Sequence, residues 1–160
     1  MASKAEEGLV IFQKHLGSEE GVGEWHTVDQ KQINLFADAT LDHQFIHVDP
    51  EKSAQLSPYK VTIAHGFLTL SMVVHLGASI PQIDPAAYKG LAMGVNYGLD
   101  KVRFPNAVKV DSRIRARREL VSADLVAPNT LQIKQRVLIE IEGEEKPACV
   151  AETLSRLIYG

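Results

Sequence analysis

The sequence predicts an α+β domain in which an antiparallel sheet curls around one apolar helix. Three observations carry this. Helical patterns fill the first half of the chain and alternating strands the second, an order that sets helix against one face of a sheet. Residues 108–117 and 131–141 alternate apolar and polar with a period of two. Residues 63–79 are apolar on nearly every face, the mark of a buried helix.

The elements follow in order. Leu9, Phe12, Gln13 and Leu16 stand near helical spacing within residues 5–16, and Gly17, Gly21 and Gly23 end that pattern. A brief strand is expected over 24–28. A helix start is then signalled twice, by Thr27 with Gln30 and by Asp29 with Gln32. Ile33, Phe36 and Ala37 share one face of that helix, which should end near Thr40. Residues 41–61 show no clean period and are rich in Asp, His, Pro and Ser. They read as an irregular segment with one helical turn over 51–55, and so long a connection in a compact domain calls for a task.

In the apolar run, Phe67, Leu68, Leu70, Met72, Val73, Val74 and Leu76 make the central helix, and Gly77 and Pro81 stop it. Strands are expected over 91–104, 108–117, 131–141 and 148–159. Their turn signals are Pro105-Asn106, Pro128-Asn129 and Glu142-Gly143-Glu144, and such short links imply antiparallel pairing. Residues 1–23 read as a helix and linker, and residues 24–160 as the domain.

At 160 residues the chain suits one domain. Its 45% hydrophobic and 23% charged content is ordinary for a globular protein and excludes disorder along the whole length. A net charge of −3 weighs against nucleic acid. Arg113, Arg115, Arg117 and Arg118 do cluster, but no aromatic residues are interleaved with them. One cysteine, Cys149, leaves no disulfide framework, fits a reducing compartment and reads as structural. The residues from Met1 to Glu7 lack the basic and apolar regions of a signal peptide, and the apolar run is too short to span a bilayer. A soluble cytoplasmic protein is expected, with no membrane and no nucleic-acid partner.

Chemistry concentrates in Asp42-His43-Gln44-Phe45-Ile46-His47. Five helical steps would separate Asp42 from His47, but an irregular loop can turn both into one pocket, where a carboxylate and an imidazole holding one water form a minimal acid–base pair. The alternative is a surface turn that happens to contain these residues. Gly66 opens the apolar helix. The first backbone N–H groups of a helix have no intrahelical partner, and an oxygen that gains charge in a reaction needs such donors. Equally, Gly66 could only relieve crowding where helix meets sheet. His43 and His47 have a metal-ligand spacing, yet Phe45, Ile46 and Pro50 do not suggest a regular helix and no third ligand is near in sequence, so no metal is expected. His65 reads as a helix-end residue that could also line the pocket, and His75 as a core histidine.

Asp42-x4-His47, followed by Val48-Asp49-Pro50 and later by Ile63-Ala64-His65-Gly66, resembles the MaoC-like dehydratase family, best known for (R)-specific enoyl-CoA hydration. Phe36-Ala37-Asp38-Ala39-Thr40 and the run Asn96 to Pro105 are similar to its NodN-type branch. The resemblance covers residues 22–160. It implies a hot-dog fold, a homodimer whose sheets join, and no cofactor beyond the CoA carried by the substrate. It also implies that Asp42 and His47 activate a water, adding oxygen to C3 and a proton to C2 of a trans-2-enoyl-CoA to give an (R)-3-hydroxyacyl-CoA. The Gly66 N–H is then the oxyanion donor.

Three positions depart from the family pattern. Leu41 stands where glycine is frequent, Gln44-Phe45 replaces Asn-Pro, and Val74 takes the place of a supporting serine, with Ser71 the nearer hydroxyl. Arg113, Arg115 and Arg117 project from one side of a strand, either as a solvated face or, with Lys101 or Arg103, as a rim for the CoA phosphates. A hot-dog acyl-CoA thioesterase and a non-catalytic acyl-CoA-binding protein are the alternative functions.

Overall fold

The computed structural model describes residues 1–160. Helix α1 (Lys4–Gln13) starts at a capping box, in which the Ser3 hydroxyl accepts from the Glu6 N–H and the Glu6 carboxylate accepts from the Ser3 N–H. Strands β1 (Glu19–Val22) and β2 (His26–Thr27) follow, then helix α2 (Gln30–Thr40). Of the two start signals the structure uses Asp29, whose carboxylate accepts from the Gln32 N–H at 2.8 Å.

The segment after α2 holds two short helices, α3 (Phe45–Val48) and α4 (Pro50–Leu56), the latter capped by Asp49. The central helix comes as α5 (Gly66–Ser71) and α6 (Val73–Gly77), joined at Met72. A 3₁₀ turn over Pro85–Tyr88 leads to β3 (Leu91–Arg103), β4 (Arg113–Ala127), β5 (Thr130–Ile141) and β6 (Cys149–Tyr159).

One six-stranded sheet runs in the order β1-β4-β5-β6-β3, with β2 also paired to β4, and every pairing is antiparallel. This is the α+β hot-dog arrangement. Period-two alternation gives the sheet two faces. Ile114 and Ala116 of β4, with Val137, Ile139 and Ile141 of β5, pack under Leu68, Met72 and Leu76 of the central helix. Leu120, Leu131, Ile133 and Tyr159 form a second core beneath α1, where Ala5 and Phe12 are fully buried.

Four expectations differ from the structure. Residues 19–22, expected in a linker, are a strand hydrogen-bonded to β4. Val108 and Val110 precede β4 in a loop that touches the neighbouring segment through the single bridge Ile63–Lys109. The all-round apolar helix is buried on one side only: Phe67 is 69% and Val74 63% exposed. An apolar pattern on every face requires cover on every face, and one chain supplies it on one. His75, read as a core residue, is exposed, with its ring edge-on to His26.

Candidate active site

The polypeptide enters the site from α2 through Leu41, which ends that helix in the left-handed conformation at φ 63°. That conformation crowds a Cβ, which is why glycine suits it and why the leucine here is strained. The reversal turns Asp42 back toward α5. One Asp42 carboxylate oxygen accepts from the Gln44 N–H at 3.3 Å. The next turn is helical rather than irregular, and it buries His47.

Backbone hydrogen bonds pin this turn from several sides. Ile63 N–H donates to the Ile46 carbonyl at 2.9 Å, the Gln30 amide donates to the His47 carbonyl at 2.7 Å, and the Ser53 hydroxyl donates to the Phe45 carbonyl at 3.1 Å. His47 Nδ1 lies 2.7 Å from the Ile63 carbonyl oxygen. A carbonyl only accepts, so Nδ1 carries the proton and, in the neutral ring, Nε2 is a bare lone pair. Burial pulls the His47 pKa below the ordinary 6.5, while the Ile63 hydrogen bond raises it, His65 lowers it and Asp42 raises it to lesser degrees. The net effect is a neutral imidazole available as a base at neutral pH.

His65, the residue that caps α5, joins this pair. Its ring stacks on His47 at 3.8 Å between centroids, and its Nε2–H donates to the Asp42 carbonyl at 3.0 Å. Asp42, His47 and His65 place one oxygen or nitrogen each within 4.8 Å of one another. A carboxylate oxygen of Asp42 and a ring nitrogen of His47 are thus close enough to share one water. The same three atoms are the nearest thing to a metal site, and the third ligand that sequence proximity did not show is His65. The two rings are inclined by only 22°. Stacked rings direct their lone pairs side by side rather than to a common point, which suits a metal ion poorly.

Gly66 is the first residue of α5, where an N–H has no intrahelical acceptor. A Cβ at this position would sit 3.1 Å from the Phe104 ring, so glycine also permits that close packing. Both readings of Gly66 therefore have a basis in the fold. Ser71 donates to the Phe67 carbonyl of its own helix at 2.7 Å and offers Asp42 nothing, and Val74 faces outward. His65, not a serine, is what anchors the acid's backbone.

The basic residues divide. Arg113 and Arg115 occupy the sheet face away from the central helix, at positions alternating with Ile114 and Ala116. They are paired with Glu142 (3.2 Å) and Glu140 (2.7 Å), and both guanidinium groups lie over Trp25. Arg117 pairs with Glu140 and Glu19. These arginines form an ion-paired outer face of the sheet. Lys101, whose ammonium lies 3.7 Å from Glu152, and Arg103 are exposed at the end of β3 next to Phe104, whose ring rests on Gly66. Cys149 is buried and its thiol is pushed up to about 11 by desolvation, as an inert core residue should be.

An antiparallel sheet packed on a central helix is the hot-dog scaffold. The family model of the MaoC like domain matches residues 12–140. The 3-hydroxyacyl-thioester dehydratase Z of Mycobacterium tuberculosis is 45% identical over 144 residues, covering 89% of this chain and 90% of that one. Nodulation protein N of Rhizobium leguminosarum bv. viciae is 46% identical over 148 residues, covering 92% and 89%. Among solved structures, the unliganded R-hydratase PhaJ1 from Pseudomonas aeruginosa superposes with a TM-score of 0.66 at 20% identity, covering 91% of this chain and 83% of that one. The chain belongs to the MaoC-like dehydratase family. It is a hydro-lyase of the hydratase/dehydratase type. No helix is long and apolar enough to cross a membrane.

Proposed function

We propose that this protein is an (R)-specific enoyl-CoA hydratase that converts trans-2-enoyl-CoA and water into (R)-3-hydroxyacyl-CoA. The observation that carries this is the Asp42–His47 pair: an exposed carboxylate beside a buried imidazole whose Nε2 is held bare by the Ile63 carbonyl. Asp42 and His47 hold one water between them. His47 takes a proton from it as the oxygen bonds to C3, the C2–C3 double bond shifts charge onto the thioester oxygen, and the Gly66 N–H stabilises that charge. The same proton returns to C2 as the carbonyl re-forms, so the elements of one water are added. Run backwards, this is the dehydration that the name of the mycobacterial relative describes.

No cofactor and no metal enter this reaction. Lys101 and Arg103, at the Gly66 end of the fold, meet the CoA phosphates, and this role replaces the wider rim that included Arg113 and Arg115. The acting form is a homodimer. β3 is an edge strand of 13 residues on which Met93, Val95, Tyr97 and Leu99 are exposed, and Tyr97 and Leu99 line one cavity with the exposed Val74 of the central helix. An unprotected apolar edge of this length calls for a partner strand, and a second copy of β3 is self-complementary to it.

The test follows the absorbance of crotonyl-CoA and longer enoyl-CoA substrates, with the product's configuration determined by chiral analysis. Loss of the enoyl absorbance with (R) product is expected. Free thiol released from a saturated acyl-CoA would instead establish a thioesterase, and tight acyl-CoA binding without turnover a non-catalytic binding protein.

A further inference from the structure

The inner face of the sheet is apolar at both ends and polar across its middle. Ala116 belongs to one core and Leu120 to the other, and Arg118 takes the alternate position between them. Gln135 stands likewise between Val137 and Ile133 on β5, and Ser155 precedes Leu157 on β6 at the same spacing. Glu20 of β1 closes the row. Arg118 Nε donates to Glu20 Oε2 at 2.7 Å, and the Gln135 amide donates to the same oxygen at 2.6 Å. The Glu20 side chain is fully buried, yet its Oε1 has no hydrogen-bond partner. A buried carboxylate oxygen without a donor marks an incomplete network.

This row lies against cavities between the central helix and the sheet, whose open side carries Val74, Val95, Tyr97 and Leu99, the residues a second copy of the chain would cover. One of about 400 Å³ begins at Leu70 and Ser71, and a second of about 400 Å³ shares Val73, Val74 and Asn96 with it and reaches Arg118 and Gln135. A third, of about 310 Å³, continues past Gly77 and Ala78 along the same two polar residues. Gly77 makes room there: a Cβ would stand 2.8 Å from Arg118 Nη1. The string of cavities runs away from the Gly66 end of the helix. At 1.5 Å per residue, Gly77 lies roughly 16 Å beyond Gly66. An acyl chain held by its thioester at Gly66 would therefore point its far end at Arg118 and Gln135.

A hydrocarbon end would strip water from these groups and return nothing. A carboxylate end would find no net positive charge, because Glu20 already neutralises Arg118. A hydroxyl fits: its oxygen accepts from the Arg118 guanidinium and its proton goes to the Gln135 amide oxygen, which no other group engages. We propose that the enzyme's preferred substrates are acyl thioesters carrying a hydroxyl group near the far end of a medium-length chain, selected by Arg118 and Gln135 with Glu20 positioning both. This deepens the hydratase reading and rests on it.

The test separates the two. Calorimetry compares binding of decanoyl-CoA with that of its ω-hydroxylated counterpart, which reads tail preference without turnover, while hydration of crotonyl-CoA by the same preparation reads the chemistry alone. About tenfold tighter binding of the hydroxylated chain is expected, the size of a hydrogen bond to a charged group. Gln135→Leu should abolish that ratio. So should the double variant Glu20→Leu/Arg118→Met, which removes both charges together and leaves no buried ion unpaired. A ratio of one in the unaltered protein, or a ratio unchanged in correctly folded variants, overturns the tail inference whatever crotonyl-CoA does. Failure to hydrate crotonyl-CoA and every longer enoyl-CoA, with or without a terminal hydroxyl, overturns the hydratase reading whatever the ratio.

Discussion

Replacing Leu41 by glycine should stabilise the protein. Leu41 holds φ 63° and ψ 23°, a conformation that costs an L-residue with a Cβ about 1–2 kcal/mol. Its side chain is 81% exposed in the single chain, so truncation forfeits little buried apolar area. Glycine gives back about 0.5–1 kcal/mol through the greater freedom of the unfolded chain. The balance is a gain of about 0.5–1 kcal/mol, which for a chain of this size raises Tm by about 1–4 °C. Thermal melts of both proteins at equal concentration measure it, since oligomerisation makes Tm concentration-dependent. A lower Tm for Leu41→Gly would refute the reasoning and show that the leucine side chain makes contacts, with a partner copy for example, that outweigh its strain. The consequence for function is separate: Leu41 immediately precedes Asp42, so a looser residue here should lower kcat even as Tm rises.

Other outcomes follow from the same geometry. Because His47 must be neutral to act and its pKa is depressed, kcat/KM should be flat near neutrality and fall only as pH drops through a value below 6.5; a fall beginning above 6.5 would contradict the burial argument. The same depression makes the unfolded chain bind a proton more readily than the native one, so this residue's contribution to stability should be complete above pH 6.5 and shrink as pH falls toward the folded value, a loss that His47→Gln removes from denaturant titrations. Chelators should leave the rate unchanged; a rate restored only by added divalent metal would mean that Asp42, His47 and His65 hold an ion. Arg103→Glu should raise KM for CoA thioesters several-fold with kcat nearly intact, and equal KM values would remove Arg103 from the CoA site.

Much of this architecture is legible in the residues because its signals are local. Asp29 with Gln32 marks the start of α2, the alternation in β4 and β5 separates the two faces of the sheet, and Asp42 and His47 lie in a stretch whose lack of period singles it out. What the sequence conceals is what only tertiary structure pairs. His65 is 23 positions from the carbonyl it holds, so its stacking on His47 leaves no trace in spacing. The arginines of β4 look like a basic patch until the register sets Arg115 opposite Glu140. Phe67 and Val74 belong to the apolar pattern of the central helix yet lie exposed on this chain. Arg118 and Gln135 did carry a signal, since each interrupts an apolar register, but β4 continues past Arg117 and the polar row emerges only when three strands are laid side by side.

The most direct test of the central claim is the rate of enoyl-CoA hydration by Asp42→Asn and His47→Gln, each with its melting temperature recorded. Both should lose at least two orders of magnitude in kcat, as general acid–base groups do, while Tm stays close to that of the parent protein. Hydration at the parental rate by either folded variant would show that the water is activated elsewhere.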